Sequence, residues 1–467
     1  MKITNYKMPG HHQRSFIRTP NWITLVLCWN FVILFGIWLQ PHTVFIRHFS
    51  LVIGAILGSW VIARNWSLLI QKKSLPLWLI VFLLLWVSIH LYFIGEDKGT
   101  QLLEYQRIWK KIALSIPFGA GLGISILGWY RSDYKTEKYW RIIYIGFLAP
   151  IIVYFVKYIS SYICLIMGFE TPIYLMLSSA HLTDPWGVSR AAYVFFCLPA
   201  YFIAMSELGE VCGKKTWQLN QNWMYLIAII GTPLIMLMEH DRTGLFYCAV
   251  GIIAGILSII KVANFQFNNK KQLILLLILL IFLASIVVIS VQNPLWRALK
   301  ADAIFAVQIN EYDQWKHLSG SKSPPLINEL GMQVHESNYD RIAWAIRGFD
   351  LILKKPLGYG LMTLSFGRLN SVDFPGSQTN MSHNGWMDFC LGYGIPGFLL
   401  IFIAILLVLI NAKGAVLPWA KFIKWVLGFM LLVFFNKELS SEIFINALIF
   451  TTCIFSTACL DCKTQNS

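Results

Sequence analysis

Residues 273–292 read L-I-L-L-L-I-L-L-I-F-L-A-S-I-V-V-I-S-V-Q, twenty positions without a charged side chain. A helix that crosses the hydrocarbon core of a bilayer needs about 20 mostly apolar residues. Eleven more windows of this kind lie at 22–39, 50–63, 76–95, 112–129, 141–157, 190–207, 222–239, 243–260, 390–410, 419–436 and 443–459. The second is short and is expected to extend back toward Phe45. The stretch 158–180 is apolar at Ile163–Met167 and Ile173–Met176 but is broken by Glu170 and Pro172, so it reads as interfacial or re-entrant. Composition agrees. The 467 residues are 57% hydrophobic and 13% charged, against roughly 25% charged in soluble domains. With a mean hydropathy of +0.60, this excludes a water-soluble globule and a disordered chain. The expected fold is an all-α polytopic membrane protein of about twelve spans rather than a string of soluble domains.

The net charge of +15 would suggest nucleic acid in a soluble protein. In a membrane protein, basic residues collect in cytoplasmic loops, and no nucleic-acid partner is expected. With the N-terminus inside, twenty of the 38 basic residues fall in inner loops and nine in the shorter outer loops; the other nine lie in the one long outer segment. The asymmetry and the even number of spans predict cytoplasmic N- and C-termini. The apolar run 22–39 follows a basic leader and ends in no small-residue cleavage site, so it reads as a retained anchor. The nine cysteines avoid residues 293–381. Cys459 and Cys462 are spaced C-x-x-C but have no partner pair, which argues against a metal site.

The chain thus divides into spans 1–9 (1–292), a hydrophilic outer segment (293–389), and spans 10–12 with a tail (390–467). A loop this long is usually functional. Within it, Asn338–Lys355 has helical apolar spacing, with Asn338 as a plausible N-cap and Asp340 in the first turn. Lys354–Gly360, K-K-P-L-G-Y-G, is a sharp turn. Ser382-His383-Asn384-Gly385 then precedes the next span, with Asp388 at its start. A lone interfacial histidine can be a headgroup contact or a helix cap. It is also the ready choice for a general base near neutral pH. Arg190 opens one span, Arg242 sits in the tight hairpin Glu239-His240-Asp241-Arg242-Thr243-Gly244, and Arg341 opens the loop helix. Such arginines can snorkel to headgroups, or pair with Asp241 and Glu239. Their planar forks also bind phosphate in bidentate fashion. Several beside one histidine suit a lipid-linked diphosphate. No Walker, H-E-x-x-H or G-x-S-x-G sequence is present.

These residues carry a resemblance. Asn338-Tyr339-Asp340-Arg341 through Pro356-Leu357-Gly358-Tyr359-Gly360, then His383-Asn384 with Asp388, then Gly392-Tyr393-Gly394-Ile395-Pro396-Gly397 occur in order. The chain resembles the O-antigen ligase/polymerase family of bacterial envelope glycosyltransferases. Asp241-Arg242-Thr243-Gly244 is similar to the family's S-R-[GAT] hairpin, with Asp in place of the usual Ser. The resemblance implies a GT-C-like fold in the bacterial inner membrane. It further implies glycosyl transfer without metal or other cofactor, from a glycan on undecaprenyl diphosphate, at a site facing the periplasm. It implies His383 as general base or acceptor-orienting residue, Arg242 and Arg341 as diphosphate ligands with Arg190 as a third, and Asn384 and Asp388 as supporting residues. Whether Arg47, Lys110 or Lys111 also line the site stays open. Twelve spans and a single long loop suit an O-antigen ligase acting on lipid A–core best. An O-antigen polymerase, a protein O-oligosaccharyltransferase and, less so, a transporter or flippase are the alternatives.

Overall fold

The computed structural model describes residues 17–133, 137–175, 188–213, 219–262, 270–292, 294–319, 324–413, 419–435 and 442–460. Lys2, Lys7, Arg14, Lys135, Lys214, Lys215, Lys437 and Lys463, which enter the charge count, and Cys462 lie outside them. The helices in chain order are α1 (Asn21–Ile37), α2 (Val44–Arg64), α3 (Leu75–Ile89), α4 (Lys98–Glu104), α5 (Lys110–Asp133), α6 (Glu137–Ile166), α7 (Arg190–Gly213) and α8 (Leu219–Met238). They continue as α9 (Arg242–Val262), α10 (Lys270–Gln292), α11 (Pro294–Ala306), α12 (Glu336–Lys354), α13 (Ser365–Asp373), α14 (Gly385–Lys413), α15 (Ala420–Val433) and α16 (Glu442–Ala458). Among the described residues there is no β-strand beyond the isolated bridges Leu318–Ser377 and Ile327–Gln333.

Among the described residues, seven helices are long and apolar enough to cross a membrane, and five shorter apolar helices accompany them. Each of the twelve windows falls on one of these, so the protein is an all-α polytopic membrane protein. α2 begins at Val44, as the extension toward Phe45 requires. Of the 158–180 stretch, residues 176–180 lie outside the described residues; before them α6 runs unbroken to Ile166, and a short 3-10 turn follows at Ile173–Leu175. Its apolar run is long enough to continue the ladder, and the chain leaves it only at Gly168, which has a φ of 71°.

Small residues let the central helices approach closely, the usual device where lipid gives no hydrophobic drive to pack. A Cβ at Gly58 of α2 would fall 2.1 Å from the Pro117 carbonyl oxygen of α5. A Cβ at Gly123, on another face of α5, would fall 2.2 Å from the Ile454 carbonyl of α16. α7 and α9 lie side by side and parallel: Gly244 faces Val194, Gly251 faces Tyr201 and Gly255 faces Met205. Arg190 and Arg242, which start these helices, therefore stand at the same end of the bundle. At the periphery, α10 leaves Ile274, Ile278, Ile281 and Val288 exposed, the spacing of a lipid-facing stripe.

Residues 294–319 and 324–384 form a small body with its own apolar core around Trp315, Tyr339, Ala343, Trp344 and Phe366. α12 starts at Glu336, two residues before the expected N-cap. Asn338 lies in the first turn instead, and its amide donates to Asp302 of α11 at 2.9 Å. Asp340 lies beyond the first turn and is buried against His317. α13 was not foreseen; its nine residues are too few and too polar to give a clear period. Arg347 of α12, 6% exposed, staples α13 to α12. It donates to Asn370 at 3.2 Å, to Asp350 at 2.6 Å and to Asp373. That bond from Arg347 holds the Asp373 carboxyl below its ordinary range.

Candidate functional site: a cationic end beneath a strained histidine

The K-K-P-L-G-Y-G turn docks on α14 through main-chain atoms. Tyr359 N–H donates to the Leu391 carbonyl at 2.8 Å, Gly360 N–H to Gly392 at 2.7 Å, and Ile395 N–H to Pro356 at 2.9 Å. Helix α14 breaks its own ladder to accept the turn, with Gly394 at φ 72°, ψ 177°. Gly358 has φ 88°, and a Cβ there would sit 2.4 Å from the Gly394 nitrogen. Only glycine meets both demands, of angle and of space.

Buried polar groups from the first half of the chain hold this clasp. His90 is fully buried; its Nε2 lies 2.9 Å from the Leu357 carbonyl and its Nδ1 3.2 Å from the Gln101 amide. A carbonyl only accepts, so Nε2 carries the proton. Glu104, 8% exposed, accepts from the Met362 N–H at 2.9 Å and 3.1 Å, from the Thr363 N–H at 3.3 Å and from the Tyr393 hydroxyl at 2.8 Å. Trp109 in turn donates to that hydroxyl at 2.6 Å. Sequence reading passed over His90 and Glu104, because the loop residues they hold, Leu357 and Met362, lie more than 250 positions away.

His383 sits in a left-handed turn at φ 55°, a conformation uncommon outside glycine. The turn is over-determined. Asp388, buried, accepts the Ser382 N–H at 2.9 Å, and Asn384 caps α14 by accepting the Met387 N–H at 3.1 Å. Both expected supporting residues thus act on the backbone around His383. Its ring stacks on Trp344 of α12, centroids 5.2 Å apart. The Trp344 indole is itself pinned, donating to the Trp315 carbonyl at 2.8 Å.

A chain of contacts leads from this histidine toward the arginines. Arg341 precedes Trp344 by one turn on α12 and stands near enough to Arg242 for their charges to repel. Tyr247, one turn and a half beyond Arg242, donates to the Leu432 carbonyl at the end of α15 at 3.0 Å. Trp386, three residues after His383, donates to the adjoining Leu431 carbonyl at 2.8 Å. Phe195 of α7 packs on Phe434, 5.3 Å between centroids, which brings the Arg190 end to the same hub. Arg190 and Arg341 are exposed and Arg242 is half-buried. Among the described residues none of the three lies within ion-pair distance of a carboxylate.

The hairpin carboxylates are occupied otherwise. Asp241 caps α9 by accepting the Gly244 N–H at 2.8 Å. Glu239 accepts from Tyr154 at 2.8 Å. Arg190 and Arg242 open their helices, where the aligned peptide dipoles already present positive charge. Two helix ends and three guanidinium groups thus gather positive potential, the arrangement that binds an oxyanion.

Arg47 and Lys111 belong to a second cluster. Glu442 of α16 takes ion pairs from Lys111 and from Arg107, the latter at 3.1 Å. Arg47 donates to the Trp38 carbonyl at 3.2 Å, and with His48 and Asn446 it lines the crevice around Glu442. Lys110 contributes its charge beside His48. Among the described residues no group of three or more His, Cys, Asp or Glu side chains could hold a metal.

No curated protein matches the chain. Residues 225–402 match the family described as O-antigen ligase, a stretch that takes in Arg242, Arg341, the glycine clasp, His383 and Asp388. By that match, residues 225–402 of this membrane protein are similar to the O-antigen ligase family.

Proposed function

We propose that the protein is an O-antigen ligase that transfers O-antigen polysaccharide from undecaprenyl diphosphate to lipid A–core at the periplasmic face of the bacterial inner membrane. The observation that carries this is the stack of His383 on Trp344, one turn from Arg341 on α12, with Arg341 near enough to Arg242 for their charges to repel. That repulsion outweighs the attraction of Asp241 for Arg242. A diphosphate is the ligand that relieves such a repulsion, and guanidinium forks hold it in a fixed orientation.

In this reading the lipid A–core hydroxyl gives its proton to His383 as its oxygen attacks the anomeric carbon. The bond from that carbon to the diphosphate oxygen breaks, and the configuration inverts. Arg242 and Arg341, with Arg190, stabilise the charge that develops on the departing diphosphate, so no acid need protonate it. Holding both substrates together supplies much of the acceleration. The GT-C-like architecture and cytoplasmic termini belong to the same proposal.

A gene deletion tests it. Loss of all O-antigen from lipid A–core, with polymer accumulating on the lipid carrier, is the expected result. A core bearing a single repeat unit would assign a polymerase instead. Unchanged lipopolysaccharide would remove both. His383→Ala, still present in the membrane, should reproduce the deletion phenotype.

A further inference from the structure

The outer body carries a cleft of about 500 Å3 that the mechanism above does not use. This lies within the roughly 300–1,000 Å3 of small-molecule sites. Its polar lining is Asp313, Gln314, His317, Gln333, Glu336 and Gln378, with Asp340 at its wall, and Pro324, Leu326, Val334 and Tyr339 supply apolar surface between them.

Charge narrows the occupant. Asp340 is bonded to His317 at 2.9 Å and Asp313 is paired with Lys316, so two of the three carboxylates have a basic partner. Glu336 has no ion pair among the described residues. An anionic headgroup or nucleotide would meet acidic side chains here and would leave the diphosphate arginines behind. The lining instead alternates hydrogen-bond acceptors and two-way amides with small apolar patches. That pattern suits a ligand with many hydroxyls and no negative charge. The Oε1 atom of Gln314 is buried without a hydrogen-bond partner among the described residues, an acceptor that a sugar hydroxyl would satisfy.

The cleft also lies next to the reaction centre. His317 packs on the same Trp344 indole that carries His383, ring centroids 5.7 Å apart. A glycan whose reacting end is at His383 therefore has further sugar rings within reach of the cleft.

We propose that this cleft is a carbohydrate subsite that holds a short run of neutral or amino sugars beside the transferring end. The inference rests on the glycosyl-transfer reading of His383. The same chemistry fits two sources, the acceptor's core oligosaccharide and the donor's polymer. Gln333, Glu336 and Gln378 are exposed, so changing them does not disturb the core of the outer body.

The test uses the full chain in lipid nanodiscs. It is titrated with fluorescently labelled core oligosaccharide freed of lipid A by mild acid, and separately with labelled O-antigen oligosaccharide released from its carrier. One of the two should saturate the wild-type protein. Saturation by the core sugar makes the cleft an acceptor subsite, and saturation by the O-antigen sugar makes it a donor subsite. Gln333→Ala combined with Glu336→Gln, and separately the cleft-filling Gln333→Trp, should weaken that binding at least tenfold. Leu330→Ala, exposed and outside the cleft, should bind as the wild type. Unaltered binding in both cleft variants, or saturation by neither sugar, overturns the proposal. Binding is read without turnover, so His383→Ala should bind normally. If that variant also left transfer intact, the role of His383 would fall while the subsite stood.

Discussion

The His383 imidazole lies on the Trp344 indole with the two planes only 23° apart. A histidine at φ 55° costs about 1–3 kcal/mol and persists only where its surroundings enforce it. Trp344→Phe should retain a folded protein and lower the transfer rate about tenfold, with little change in the KM for donor. Trp344→Ala should lower it about 100-fold, the scale expected when a catalytic group shifts by about 1 Å. Steady-state kinetics with purified donor and acceptor would decide. A wild-type rate in both variants would reduce the stack to packing.

Arg242→Lys and Arg341→Lys should each reduce kcat/KM for the lipid-linked donor by about 100-fold, because a point charge cannot replace a two-pronged fork. Arg341→Gln should behave differently toward heat. It removes the repulsion on Arg242, so the donor-free protein should melt slightly higher while transfer is lost. A lower melting point would mean that Arg341 has a structural partner rather than an unrelieved charge.

Gly358→Ala should prevent stable docking of the loop. The new methyl would meet the Gly394 nitrogen at 2.4 Å at a positive φ, a combined penalty of at least about 2 kcal/mol. The expected outcome is aggregation or early thermal unfolding in detergent, seen by size-exclusion chromatography. Gly331→Ala is the control. It shares a positive φ but has open space, and should cost only the backbone strain of about 1–2 kcal/mol.

Glu104→Gln should lower the melting temperature even though its shape is preserved. Both carboxylate oxygens accept from the Met362 N–H, and an amide group would turn a donor toward a donor. A loss of about 2 kcal/mol is expected for charge-assisted bonds of this kind. Transfer should fall with it, since the clasp holds the helix that follows His383. An unchanged melting temperature would show that the strap is dispensable.

Stability of the outer body should depend on pH through His317. Its hydrogen bond to Asp340 raises it above the ordinary histidine value of 6.5. A raised folded-state value means that the pair stabilises fully below about pH 6.5 and fades as pH climbs through that raised value. The difference in melting temperature between wild type and His317→Gln should therefore be largest in mildly acidic buffer and shrink toward alkaline pH. A difference that is constant with pH would remove the ion pair from the stability of this body.

Spans and motifs were legible because their information is local. A run such as 273–292 declares a helix by itself, and each expected span falls on an apolar helix. The glycine motifs were visible as letters, but not their mutual fit: Gly358 and Gly394 explain each other only once Pro356 and Ile395 are seen bonded. Glu104 and His90 were silent for the opposite reason. A single carboxylate or imidazole in an apolar stretch has no spacing that reveals a partner far along the chain. Trp344 sat within the predicted helix among other apolar positions, and nothing in its period separates a residue that carries a histidine from one that only fills the core. The start of α12 was misjudged because Asn338 is a good cap by type, while Asp302 claims its side chain.

The break in α14 at Gly394 has a mechanical corollary. The Pro356–Gly360 turn is bonded on both sides of that break, to Leu391 and Gly392 before it and to Ile395 after it. The loop therefore splints the joint it creates: the half-helix that follows His383 is held in line with the span by the turn rather than by its own ladder, and loosening the turn would free the two at once.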